Sequence, residues 1–185
     1  MRLLLASLLL VSAAEAADLR SVDVDRTDGV YTMRSEVWFD ASLPQMYAVM
    51  LNWDLSTEFS SVIVESRNLE PDEQGRPQYY NRTEACVWFF CMSAERSGFI
   101  EHEPYEFIRT EVYPEVSDFY VSDEHWTFRE ENGGTVVVYD LQFKPKFFVP
   151  PVVGPWMIKR KLKEGGADAL ERIEAIAQAT VIDDS

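Results

Sequence analysis

The residues that could do chemistry in this chain are few: two histidines, two cysteines, and a run of aromatic and acidic residues between positions 119 and 143. His102 lies between Glu101 and Glu103, and His125 follows Glu124. Acyl transfer needs a Ser or Cys nucleophile served by a base and an orienting acid, and neither histidine sits in such a context. Two histidines without ligand-like spacing make a weak zinc case, and no metal is expected. Both read as surface or strand residues, and acids beside His102 are unremarkable in a chain with 32 of them. Asn81-Arg82-Thr83 matches a glycosylation acceptor, a short pattern that recurs by chance.

Cys86 and Cys91 flank Val87-Trp88-Phe89-Phe90. In one continuous strand their Cα atoms would stand roughly 16 Å apart, whereas a bridge needs less than about 7 Å. Either the chain bends sharply between them and a disulfide closes a small loop, or both are buried thiols. No CxxC pair is present, which argues against thiol–disulfide catalysis.

These residues must be positioned by the surrounding elements. Val30 to Phe39 alternates and is rich in β-formers, as a strand requires. A helix follows, capped by Asp40 or Ser42, with Pro44 in its first turn and Met46, Tyr47, Val49, Met50 and Leu51 at helical spacing. Trp53 to Phe59 reads as a second short helix. Strands then dominate. Val62 to Leu69 passes through Asp72-Glu73-Gln74-Gly75-Arg76-Pro77 into Gln78 to Met92. Ser97 to His102 pairs with Phe107 to Tyr113, and Phe119 to Glu130 pairs with Thr135 to Phe143 across Asn132-Gly133-Gly134. A C-terminal helix is expected from about Trp156 to Gln178, with Ile158, Leu162, Leu170, Ile173 and Ile176 as its apolar face and Gly165-Gly166 interrupting it.

Period-two alternation puts Trp126 and Phe128 on one face of their strand, and Val137, Tyr139, Leu141 and Phe143 on one face of the next. Tyr120 and Glu124 share the parity of Trp126, so a polar handle beside an apolar surface is one reading, and a strand-end carboxylate in water is the simpler one for Glu124.

Composition bounds the class. With 17 basic and 32 acidic residues, a net charge of −15 argues against nucleic acid as a partner, since binding phosphates takes a surplus of cations. Met1-Arg2, an apolar run from Leu3 to Val11, and Ala14-Glu15-Ala16 have the form of a signal peptide cleaved after Ala16. The run is about half what a membrane span needs. The expected organisation is therefore a signal peptide at 1–16, a lead-in at 17–29, one domain at 30–178 and an acidic tail at 179–185, in the periplasm or outside the cell.

The order of strand, two short helices, a series of antiparallel strands and one long C-terminal helix resembles the START-like, or helix-grip, superfamily of polyketide cyclase/dehydrase, lipid-transfer and coenzyme Q-binding proteins. The resemblance is carried by Val37-Trp38-Phe39-Asp40-Ala41-Ser42 entering the helix at Pro44 to Leu51, by Trp53-Asp54 and Phe59, by the Gly133-Gly134 hairpin, and by Leu170-Glu171-Arg172. It implies an α+β fold, a curved antiparallel sheet of six to seven strands wrapped around the C-terminal helix, with an apolar ligand cavity between them. Tyr120, Glu124, Trp126, Phe128, Val137, Tyr139, Leu141 and Phe143, joined by Trp156 and Leu162 of the helix, are the expected lining. No cofactor is expected.

From Lys144 to Lys163 there are six cations and no acid, in a chain that is otherwise strongly acidic. Lys159, Arg160, Lys161 and Lys163, with Phe147 and Phe148, suit an interface where apolar groups insert and cations meet anionic head groups, or else form a solvated basic face. The expected function is an exported binder or carrier of a hydrophobic molecule such as a lipid, sterol-like molecule or quinone. A cyclase or dehydratase using Glu124, Tyr120 or Tyr139 is the second reading, and an envelope scaffold the third.

Overall fold

The computed structural model describes residues 17–87, 90–149, 160 and 169–182. Its elements run β1 (Asp18–Thr27), β2 (Val30–Phe39), α1 (Leu43–Leu51), a 3-10 turn (Trp53–Leu55), α2 (Ser56–Phe59), β3 (Ile63–Leu69), β4 (Gln78–Val87) and β5 (Phe90–Glu103). They continue with β6 (Phe107–Val112), a 3-10 turn (Pro114–Val116), β7 (Phe119–Glu131) and β8 (Gly134–Pro145). A C-terminal helix, α3, covers residues 169–179.

Eight strands form one antiparallel sheet in the order β1-β2-β8-β7-β6-β5-β4-β3. Neighbours in sequence are neighbours in space except where β2 pairs with β8, which joins the first hairpin to the last. The expected six to seven strands become eight because 17–29, read as a lead-in, contains β1 paired with β2 from Asp18↔Trp38 to Thr27↔Val30. Gln78 to Met92 is not one strand. It divides into β4 and β5, with Cys86 opposite Cys91 and Val87 opposite Phe90.

Local chemistry explains the punctuation. Ser42 caps α1 and its backbone N–H donates to Gln45 Oε1 at 3.1 Å, closing a capping box. Asn132 and Gly133 take φ of +53° and +83°, the left-handed pair that a two-residue hairpin needs between β7 and β8.

The inner face of the sheet carries two apolar clusters. In the first, Val37, Phe39, Ile108, Phe128 and Val137 pack with Met46, Tyr47 and Val49 of α1 and with Ile173 and Ala177 of α3. In the second, Tyr31, Ala94, Val112, Phe119, Leu141 and Phe143 pack together. Helix α3 thus lies against the inner face of an open antiparallel sheet, which is the helix-grip arrangement. The expected start of that helix, its Gly165-Gly166 interruption and the signal-peptide segment lie outside the described residues.

Candidate functional site

A polar belt crosses the inner face between the two clusters. On β6, Thr110 lies between Ile108 of the first cluster and Val112 of the second; on β5, Arg96 lies between Ile100 and Ala94; on β8, Tyr139 lies between Val137 and Leu141. Cross-strand register ties the belt together: Thr110 opposes Glu124, Asn81 opposes Arg96, Ser66 opposes Asn81, and Ser35 opposes Tyr139. Period-two strands place such residues on one face, so the belt follows from register and not from any local motif.

Its centre is an ion pair. Arg96 Nη1 donates to Glu124 Oε1, with 17% and 6% of the two side chains exposed. Burial pulls the guanidinium pKa down, but the Glu124 carboxylate, with Tyr139 and Tyr79 adding to it, offsets this and leaves the group above its usual value. The guanidinium also sits 4.8 Å from the centroid of the Phe119 ring. The Tyr139 hydroxyl faces Glu124, and burial, with that carboxylate adding to it, pushes its phenol well above the ordinary value. Tyr79 is raised in the same way, burial first and Glu124 second. Both phenols are therefore donors at neutral pH.

Much of this belt lacks partners. Tyr79 Oη, Asn81 Oδ1, Ser66 Oγ, Thr110 Oγ1, Ser122 Oγ and Arg96 Nε are buried without a hydrogen bond among the described residues. Tyr79 points toward Thr110, yet neither oxygen completes a bond. Buried polar atoms are satisfied in the great majority of cases, so six in one belt form a surface suited to a polar guest.

The expected lining residues separate. Glu124 is buried at 5% exposure and ion-paired, which corrects the reading of a carboxylate in water. Trp126 stacks on Tyr139 at 5.0 Å and meets Trp53 edge-on at 6.2 Å. Phe128 and Val137 are buried in the first cluster beside α1, and Leu141 and Phe143 in the second, where Phe143 stacks on Tyr31 at 5.2 Å.

Tyr120 does not join them. A register shift between Phe119 and Val121 inserts it as an extra residue, so the alternation inverts and Tyr120 faces solvent at 57% exposure, with Lys146 Nζ 5.8 Å from its ring centroid. Arg96, Thr110, Asn81, Tyr79 and Ser66 were absent from the expected lining. The signal that exposes Arg96 is its shared parity with Ala94 and Ile100, readable only once β5 is known to start at Phe90.

Of the basic segment, Phe148 is 76% exposed, whereas Phe147 is half-buried and packs edge-on against Phe119 at 5.8 Å. Arg160 is helical and exposed. Trp156, Leu162, Lys159, Lys161 and Lys163 lie outside the described residues. Cys86 and Cys91 are disulfide-bonded, with Cα atoms 4.0 Å apart, because the antiparallel register of β4 and β5 sets them opposite one another. Asn81 of the glycosylation pattern is 3% exposed on the inner face, which removes it as a glycan acceptor.

His102 Nδ1 lies 2.6 Å from Tyr47 Oη, and His125 meets Phe107 edge-on, so neither contributes to the belt. A concavity on the outer face is lined by residues that include Asp23, Asp25, Arg34, Asp123 and Asp140. Asp140 pairs with Arg34 at 2.5 Å and Asp123 with Arg109 at 2.5 Å. No group of three or more acids, histidines or cysteines among the described residues is arranged to hold a metal.

Comparison with solved structures gives the same fold. The chain is similar to a STAR-related lipid transfer protein from Xanthomonas axonopodis (15% identity, TM-score 0.65, covering 89% of this chain and 99% of that one). It is also similar to a START superfamily protein from Mycobacterium smegmatis (18%, TM-score 0.62, 80% and 99%). The Zhui aromatase/cyclase from Streptomyces sp. R1128 matches at 11% identity and TM-score 0.62, over 80% of this chain and 94% of that one. No curated protein matches the sequence. The family model described as "Polyketide cyclase / dehydrase and lipid transport" covers residues 39–170, from the end of β2 into α3, and the chain belongs to that family.

Proposed function

We propose that the protein is an exported binder or carrier of a hydrophobic small molecule, a lipid, sterol-like molecule or quinone, held between the inner face of the sheet and α3. The observation that carries this reading is the belt of unpartnered polar atoms around Arg96–Glu124, set between two apolar clusters. A guest with an apolar body and a polar end satisfies both parts. Because Arg96 and Glu124 neutralise each other and the flanking phenols are uncharged, the belt favours an uncharged hydroxyl or carbonyl end over an anionic one. The lipid transfer protein among the structural neighbours supports the same class of guest.

Export is supported by the N-terminal pattern and by the Cys86–Cys91 disulfide, a bond that persists in oxidising compartments. Exchange of the guest at a membrane is supported by the exposed Phe148 and the acid-free segment that follows it. Native mass spectrometry of the mature protein, followed by solvent extraction, tests the binding reading. A stoichiometric hydrophobic guest is expected; empty protein that refuses a panel of lipids and quinones overturns it. Replacing Lys159, Arg160, Lys161 and Lys163 with Gln tests docking: unchanged binding to anionic vesicles overturns it.

One observation favours a second reading, a cyclase or dehydratase. Glu124 stands beside the Tyr139 phenol and near that of Tyr79, so a base and two proton donors face the same volume. The aromatase/cyclase neighbour supports it. A guest extracted unchanged after incubation supports the carrier, and a guest recovered minus one water supports the enzyme.

A further inference from the structure

Among the described residues, the buried acid Glu174 takes its hydrogen bonds from backbone donors. It lies on α3 with 7% exposure, next to Ile173, which packs into the first apolar cluster. Its Oε1 accepts the backbone N–H of Asp40 at 2.8 Å, and its Oε2 accepts the backbone nitrogen of Ala17 at 3.0 Å. Both donors are neutral amides, and among the described residues no cation pairs with this carboxylate, which is withdrawn from water among neutral dipoles.

Ala17 is also the residue that follows Ala14-Glu15-Ala16, the small-x-small pattern that ends the charged start and apolar run. The nitrogen that meets Glu174 is therefore the nitrogen that a cut after Ala16 would free. We propose that processing after Ala16 converts the Ala17 nitrogen into an α-ammonium that serves as the counter-ion of Glu174, so that maturation fastens α3 to the sheet.

In that step a leader peptidase adds water across the Ala16–Ala17 amide. The C–N bond breaks, the hydroxyl stays with the Ala16 carbonyl as the leader's new carboxyl group, and the nitrogen departs as an amine. The carboxyl group releases a proton and the amine takes one up, since α-amino groups titrate at about 7.7–8.0.

The ammonium keeps the contact that the amide makes and adds an attraction that water screens poorly at a buried site. One carboxylate then joins three parts of the chain: the start of the mature protein, the junction of β2 and α1 at Asp40, and α3. Gln178 Nε2 reinforces the junction by donating to the Asp40 carbonyl at 2.7 Å.

The inference rests on the processing part of the export reading and is independent of the guest. The full chain is exported from a bacterial host and its N-terminus read by intact mass. The mature chain is then prepared with Ala17 as a free amine and as an Nα-acetyl amide, each with Glu174 and with Glu174→Gln. Acetylation keeps the N–H and removes only the charge.

The expected N-terminus is Ala17, the free amine is expected to melt about 3 °C or more above the acetylated form, and that difference is expected to vanish in Glu174→Gln. Should Glu174→Gln fail to fold, Glu174→Asp, which draws the carboxylate back by one methylene, must shrink the difference. An N-terminus elsewhere overturns the processing reading and this inference with it. An Ala17 terminus with equal melting of the free and acetylated forms overturns the ion pair alone.

Discussion

Arg96 of β5 and Glu124 of β7 form an ion pair across β6, inside the sheet's inner face. The two strands are not neighbours, so the pair spans the strand between them, and Thr110 of that strand lies directly opposite Glu124. The pair uses Nη1 of the guanidinium, and Arg96 Nε makes no hydrogen bond among the described residues.

Breaking one side of such a pair strands the other charge. Arg96→Ala or Glu124→Ala is expected to cost about 3–5 kcal/mol, while the double replacement Arg96→Met with Glu124→Leu is expected to be neutral or stabilising. Urea unfolding of the four proteins measures this. A double variant as damaged as either single one would mean that the pair organises the sheet beyond its charge balance.

Tyr79 offers a gain in stability at the expense of binding. Its ring stacks on Trp53 at 4.2 Å, and its buried hydroxyl makes no hydrogen bond among the described residues. Tyr79→Phe keeps the ring and removes the orphan oxygen, so the guest-free protein is expected to gain about 1 kcal/mol. Guest occupancy after lipid loading, read by native mass spectrometry, is expected to fall. A loss of stability in the guest-free protein would show that the hydroxyl is already satisfied.

Alternation made β2, β7 and β8 legible in the sequence, and with them most of the buried aromatic positions. Tyr120 escaped because a bulge shifts parity without any local signature. Val87-Trp88-Phe89-Phe90 contains none of the Gly, Pro, Asn or Asp that mark turns, so β4 and β5 read as one strand, although the two flanking cysteines already required a sharp bend if bonded. β1 has three apolar members, Leu19, Val22 and Val24, and only Val22 and Val24 are half-buried, too short an alternation to mark this edge strand. The belt was unreadable for a different reason. Arg96, Asn81 and Ser66 are brought together by register between strands, and a single sequence does not carry register.

The Cys86–Cys91 bond closes a short ring at the end of the β4–β5 hairpin, and both cysteines are exposed. Closing so short a loop limits the unfolded chain little, so Cys86→Ser with Cys91→Ser is expected to cost about 2 kcal/mol or less. Mild reductant is expected to release two titratable thiols while the far-ultraviolet circular dichroism stays native. Loss of the native spectrum on reduction would assign the hairpin a role in holding the whole sheet.

Glu131 gives the protein an acid limb. Hydrogen bonds from Arg20, at 2.5 Å, and from Arg129 hold its carboxyl at about 2, against 4.5 ordinarily. A carboxylate whose folded pKa lies below its unfolded one contributes stability that is complete above the unfolded value and is lost as pH falls toward the folded one. The loss from this group is therefore expected between about pH 4.5 and pH 2. Arg20 lies on β1, so the pair ties that edge strand to the end of β7, and protonation is expected to loosen β1 first. Glu131→Gln should flatten the fall in melting temperature across that window, and salt should do the same to the wild type because the group is exposed and screened. Hydrogen exchange at the β1 amides, followed through the same pH range, reads the loosening directly. Equal slopes for wild type and Glu131→Gln would place the acid limb elsewhere, with Asp72, held below its usual value, against its own desolvation, by hydrogen bonds from Arg76 and Tyr113, as the next group to replace.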